Sequence, residues 1–250
     1  MLTYSLLLIG VVFSGIAISS QNITSPPSKY GIVVFPGFQA LDVFGPLDVL
    51  NMLSLEVDID LVVLAATKDP VSTRTPRARP GTSFAESLAI THTFEDAPKD
   101  LEVLLIPGGY GTRVLNQTAP VREYIKKVFP NLRYVITVCT GAGLFARTGL
   151  LDGRRATGNK KYWDWVVSQG PKVQWVPKAR WVEDETAGQI PIWTSSGVSA
   201  GLDVTFAFVK KHYGEDIASG IANTLEYERH LDSTWDPFSA VWNATWNPKS

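Results

Sequence analysis

The sequence is short of the residues from which many catalytic and metal sites are built. It holds one cysteine, three histidines and two methionines in 250 residues. A single cysteine excludes an internal disulfide, so the core alone must stabilise the fold. The histidines stand at 92, 212 and 230, with no spaced His/Cys/Asp cluster for a metal and none adjoining the cysteine. A glycine-rich phosphate loop of the Walker or dinucleotide type is missing, and no cofactor is expected. An excess of one charge is missing too. The net charge is −1, and nothing in it points to nucleic acid. Arg74, Arg77 and Arg79 form the one local basic cluster; Pro76 and Pro80 break it, which predicts a solvated loop. Repeats and low-complexity segments are absent.

Long apolar runs are also scarce. Leu6–Ile18 is one, followed by Ser19, Ser20 and the polar stretch "QNITSPPSK". It is short for a membrane span and suits the apolar region of a secretory signal over residues 1–20, with a polar linker at 21–29. A basic stretch before it is lacking, so an uncleaved anchor is the alternative. Three Asn-x-Ser/Thr sequons, at Asn22, Asn116 and Asn243, agree with export by a eukaryotic secretory route and mark N-glycosylation candidates. With the leader removed, no part is expected in a membrane. A lone thiol is unusual in an oxidising compartment, which tilts Cys139 toward use.

Beyond the leader, apolar β-type runs alternate with helical patterns. "YGIVVF" (30–35), "DIDLVVLA" (58–65), "LEVLLI" (101–106) and "RYVITV" (133–138) predict parallel strands covered on both faces. Helices are expected from Pro46 with Gly45 as cap, from Pro120, and directly after Cys139. Two more carry the faces Leu202/Phe206/Val209 and Ile217/Ile221/Leu225, divided by Gly214, and "LEYERH" reads as a Glu-rich helix. The segment 66–85, rich in Pro, Arg and Thr, predicts a loop or small hairpin. All eight tryptophans lie beyond residue 160, with Trp175, Trp181 and Trp193 in short strands and packing as their main role. The fold class is therefore α/β: a three-layer, flavodoxin-like, doubly wound and mostly parallel sheet over residues 30–230, with a Trp-rich tail at 231–250.

In such a sheet, ligands gather outside the carboxyl ends of the strands. "PGFQALD" (36–42), "PGGYGT" (107–112) and Cys139-Thr140-Gly141 are expected there. Cys139 ends a strand, and small residues follow it, as a nucleophile elbow requires. The start of the next helix should favour the thiolate. Gly108 and Gly109, with the Thr140 N–H and Gly141, could supply an oxyanion hole. Asp42 is expected in the loop ahead of the first helix, near the thiol, where burial would raise its pKa and let it donate a proton; a loop-capping role is equally open. Asp48 is expected in the first helical turn, complementing the dipole.

"VCTGAGLFARTGLLDGRRAT", "FPGFQALDVFGPLDVL", "LLIPGG" and "WTSSGVSAGLDVTFAFV" together resemble the ThiJ/PfpI superfamily, which has a class I glutamine-amidotransferase-like fold. The resemblance spans residues 30–230, and the leader and sequons suggest a secreted eukaryotic, fungal member. The Asp of "ALDVFGP" and the Cys-Thr-Gly elbow look like the isonitrile hydratase-like branch. That resemblance implies Cys139, Thr140 and Asp42 as catalytic residues, Gly109 and the Thr140 backbone as anion-stabilising donors, and a homodimer. Other branches place His directly after the cysteine, where this chain has Thr140. Hydratase-like sequences often read "ATTHW" after "GRR"; here "ATGNKKYW" puts Asn159 in place of the histidine. Asn159, Phe44 and Tyr110 are candidate pocket residues.

The leading expectation is a cofactor-independent hydro-lyase that adds water to a small-molecule isonitrile through Cys139. Glyoxalase or deglycase chemistry on small aldehydes at the same thiol is a second. A non-catalytic redox-responsive or ligand-sensing module is a third.

Overall fold

The computed structural model describes residues 25–246; the leader segment and Asn22 lie outside them. Seven strands form the central sheet: β1 (Lys29–Val33), β2 (Asp60–Ala65), β3 (His92–Thr93), β4 (Val103–Ile106), β5 (Tyr134–Val138), β6 (Trp181–Asp184) and β7 (Ile192–Ser195). Their order is β6-β7-β5-β4-β1-β2-β3. All neighbours pair parallel except β6, which lies antiparallel on β7. β4 is buried at every position, as an unbroken apolar run in a doubly covered sheet should be.

Helices α1 (Ala40–Leu53), α5 (Ala200–Tyr213) and α6 (Glu215–Thr224) pack together on one side of the sheet. On the other, α2 (Leu115–Val128), α3 (Gly141–Ala146) and α4 (Trp163–Ser168) do the same, completing the three-layer α/β/α sandwich. From β1 the chain winds outward through β2 to β3, then returns to the opposite side of β1 for β4. The order therefore reverses between β1 and β4, the crevice where a doubly wound sheet holds its ligands.

Both proline-based helix starts need correction. Pro46 lies inside α1 and Pro120 inside α2. Each removes a hydrogen bond to the carbonyl four residues earlier, and tertiary burial of these helices overrides that local loss. The earlier start of α1 moves Asp42 into its first turn and leaves Asp48 mid-helix and exposed. "LEYERH" is not a Glu-rich helix, since α6 ends at Thr224. The polar segment 66–85 holds one strand of a small ribbon, Val71–Ser72, whose antiparallel partner Ser87–Leu88 lies just beyond it.

The C-terminal segment is docked onto the domain. Ser233 O accepts from Arg180 N at 2.8 Å, Thr245 O accepts from the Trp163 indole at 2.6 Å, and Asp236 is buried near Arg180 and Lys160. Asn116 and Asn243 are both exposed, Asn116 within α2. Among the described residues no helix is long and apolar enough to cross a membrane.

The whole of α3 is buried, and Gly141 is what lets it approach β4. A Cβ there would lie 2.3 Å from the Ile106 carbonyl oxygen. Because that neighbour is backbone, Gly141→Ala is expected to destabilise by about 1–3 kcal/mol, read from urea denaturation.

Candidate active site

Three loops meet at the reversal point. β5 delivers Cys139, β4 the Pro107-Gly108-Gly109 turn, and β1 the loop leading to Asp42. Cys139 has φ of 63°, the sparsely populated left-handed region for a residue with a side chain. Such local strain is the mark of an elbow that aims its side chain out of the sheet. Its backbone is held from both sides: Cys139 N–H donates to Ser196 O at 3.0 Å, and Asn159 N–H donates to Cys139 O at 3.2 Å.

Asp42 is brought to the thiol and is almost wholly buried. Its Oδ2 accepts the Gly108 N–H at 2.9 Å, and Oδ1 has no hydrogen-bond partner among the described residues. Burial pushes this carboxyl up to about 7, against the opposing pull of the Gly108 N–H and the Cys139 thiol. Burial also raises the thiol, and the Asp42 charge raises it further. The backbone N–H groups of Val198 and Thr140 and the Asn159 amide act in the opposite direction. The expectation that the helix start favours a resting thiolate is thus corrected: α3 has six residues, and desolvation outweighs its N-terminus. The resting pair is a thiol beside a carboxyl that titrates near neutrality.

Asn159 makes the direct polar contact to sulfur. Its Nδ2 donates to Sγ at 3.0 Å, while its Oδ1 accepts Tyr162 N–H at 2.9 Å and fixes the amide's orientation. Lys160 anchors the same turn. It is buried, held down to about 7 by desolvation, and donates to Thr157 Oγ1, Gly158 O and Ala179 O at 2.7, 3.1 and 2.8 Å.

The oxyanion hole expected at Gly108 and Gly109 does not form. Gly108 N–H is engaged by Asp42, and Gly109 N–H donates to Thr140 Oγ1 at 2.9 Å. These glycines serve close approach instead. A Cβ on Gly108 would meet Thr140 N at 2.5 Å, and Gly109, at φ of 130°, would meet Gln39 N at 2.4 Å. Gly141 likewise acts through packing. The Thr140 hydroxyl faces the Gly109 backbone rather than the sulfur, so it ties the elbow to the turn. The donors that do face the thiol are the Thr140 and Val198 N–H groups and the Asn159 amide.

Cys139, Thr140, Gly109, Asn159 and Tyr110 line one open cleft of about 620 Å³. Phe44 does not: it lies on a separate apolar groove with Leu41, Leu61 and Leu202, on the outer surface of α1. The loop carrying Arg74 and Arg77 is not merely solvated, since both residues line the Cys139 cleft. Sequence reasoning also misses Arg113, Tyr162 and Val198 there. Val198, a β-branched residue at φ of 42°, had a local signal in the small-residue run "SSGVSAG" between a strand and a helix. The three histidines lie elsewhere. His212 packs against Tyr134, Trp193 and Phe208 and is lowered to about 4 by burial, His230 pairs with Asp203, and His92 sits on edge strand β3. Among the described residues no cluster of His, Cys, Asp or Glu could hold a metal.

The state of Asp42 has a measurable consequence. Its folded pKa lies above the unfolded value of 3.8, so the folded state holds this proton more tightly and that stabilisation is lost as pH rises toward 7. Asp42→Asn lacks the penalty. Its stability relative to the wild type is expected to grow by on the order of 4 kcal/mol between about pH 4 and about pH 8. Urea titrations across that range would read it; a constant difference would show that the carboxyl is not raised.

Residues 28–211 match the DJ-1/PfpI family. The chain is 33% identical over 199 residues to an isonitrile hydratase of Pseudomonas putida, covering 80% of this chain and 78% of that protein. It is 25% identical over 113 residues to the deglycase PfpI of Pyrococcus furiosus, covering 43% of this chain and 67% of that protein. A ThiJ/PfpI family protein from Pseudomonas syringae superposes with a TM-score of 0.67 at 25% identity, covering 88% of this chain and 83% of that chain. The match spans the elbow, the glycine turn and the first turn of α1 with Asp42 together, and the chain belongs to the DJ-1/PfpI family.

Proposed function

We propose that this protein is a cysteine-dependent hydratase acting on isonitriles. The observation that carries the reading is the buried Asp42 carboxyl, poised near neutrality against the Cys139 thiol at the base of an open cleft. A carboxyl in that state can take a proton and return it within one catalytic cycle. The 33% identity to an isonitrile hydratase supports the choice of substrate class.

The steps balance as follows. Ionised Asp42 accepts the Sγ proton as sulfur bonds to the terminal isonitrile carbon, and the proton passes to that carbon, giving a thioimidate. Water then adds to the same carbon, with Asp42 accepting one of its protons. The C–S bond breaks, nitrogen gains a proton and the thiol is restored, leaving an N-substituted formamide. The Asn159 amide and the Val198 and Thr140 N–H groups stabilise the developing charge on sulfur. They place donors where the glycine amides cannot.

A second reading, addition of the thiol to a small aldehyde, is favoured by the deglycase relatives, which match shorter stretches at lower identity. Incubation with cyclohexyl isonitrile and, separately, methylglyoxal separates the two. Formamide should form with the first, and Cys139→Ala should lose turnover by at least about a thousandfold. Because the reactive form needs Asp42 ionised, kcat/KM should rise with pH through about 7. Asp42→Asn should lower the rate by about 10²–10⁴. Cys-dependent turnover of the aldehyde alone would replace the hydratase reading.

A further inference from the structure

The wall of the Cys139 cleft is positively charged, and its cations lack counter-ions among the described residues. Arg74, Arg77, Arg113 and Lys161 all line it, and none takes part in an ion pair among the described residues. Glu86 is the one carboxylate on that wall among the described residues, and it accepts the Thr73 hydroxyl at 2.8 Å. Arg74 donates to Thr82 O at 2.8 Å and is partly satisfied.

Arg113 is the unusual member. Its guanidinium lies over the rings of Tyr162, Trp165 and Tyr110 at 4.3, 4.6 and 5.6 Å. Ring faces attract the cation but accept none of its in-plane N–H bonds. Nη2 is buried without a hydrogen-bond partner, a state that costs free energy unless something else supplies an acceptor. Arg77 lies over the other part of this group, 5.7 Å from the Tyr110 ring centroid. A guanidinium held by aromatic rings, short of acceptors and lining the same cleft as the Cys139 thiol suits a ligand that brings its own negative charge.

We propose that the cleft selects substrates with an anionic arm, a carboxylate or phosphate, beside the electrophilic carbon, with Arg113 as the anchor and Arg77 as a second cation. This deepens the hydratase reading and rests on it for the identity of the electrophile, but the anion preference itself can be measured without turnover.

Cys139 is the single cysteine of the chain, so alkylation of the full-length protein reports on it alone. The quantity to measure, by intact mass at low ionic strength, is the rate with anionic iodoacetate divided by that with neutral iodoacetamide. Both reagents react with the same sulfur, so changes in thiol reactivity cancel in the ratio. The ratio is expected to fall about tenfold in Arg113→Gln, the size of one lost charge-assisted hydrogen bond. It should fall less in Arg77→Gln, an exposed position whose change does not threaten folding. Arg113→Lys should recover most of the loss. Sodium acetate and inorganic phosphate, compared at equal ionic strength, should slow iodoacetate labelling of the wild type, and the better protector names the anionic group. An unchanged ratio in both glutamine variants, or protection by neither anion, overturns the proposal. The turnover arm compares isocyanoacetate with cyclohexyl isonitrile. If neither is hydrated while the alkylation ratio still depends on Arg113, the hydratase reading falls and the anion site stands.

Discussion

Two backbone amides of one turn tie the site together. Gly108 N–H donates to Asp42, and Gly109 N–H donates to Thr140. The turn at the end of β4 thereby clamps the first turn of α1 on one side and the elbow after β5 on the other. The contacts join residues 66 and 31 positions apart in sequence, so they exist only because β1, β4 and β5 lie side by side. Without side chains at 108 and 109 the loops can close to backbone contact; any Cβ there would strike the elbow or the Gln39 backbone. A hydrogen bond and a steric limit act together at each of these positions.

That closeness sets the electrostatics. Taking a carboxyl and a thiol out of water together disfavours the charged form of each; the Asp42 charge raises the thiol further, while the thiol's hydrogen bond pulls the carboxyl down against the larger effect of burial. The carboxyl titrates near neutrality as a result, and the resting thiol keeps its proton. Asn159 answers the sulfur directly, through an amide whose orientation is set by the Tyr162 N–H. Behind it the buried Lys160 ties the same turn to Thr157 and Ala179. A neutral, oriented donor meets the sulfur where a histidine would add a second titrating group.

Much of the scaffold is legible in the chain itself. Parallel strands covered on both faces show as unbroken apolar runs, so β1, β2, β4 and β5 are visible, and Gly214 marks the break between α5 and α6. Helix starts are less so: Pro46 and Pro120 look like first-turn residues, yet both lie inside helices whose burial outweighs the lost hydrogen bond. The elbow can be read because the small residues after Cys139 are local. Arg113 and Tyr162 cannot, since nothing near them in sequence says that their loops face the same cleft.

The sharpest contrast is the chemistry of single groups. Residue order sufficed for the strand-to-helix junction at Cys139 and for a glycine turn after β4, because each depends on neighbours in the chain; Asp42 it left in the β1 loop, where the structure has the first turn of α1. Which amide meets which acceptor, and in which direction a thiol or carboxyl shifts, depends on the solvent excluded by segments far apart in sequence. Local reasoning sees a helix start and expects a thiolate. Once α3, the β1 loop and the residues around Val198 close over the sulfur, desolvation becomes the larger effect and reverses that expectation.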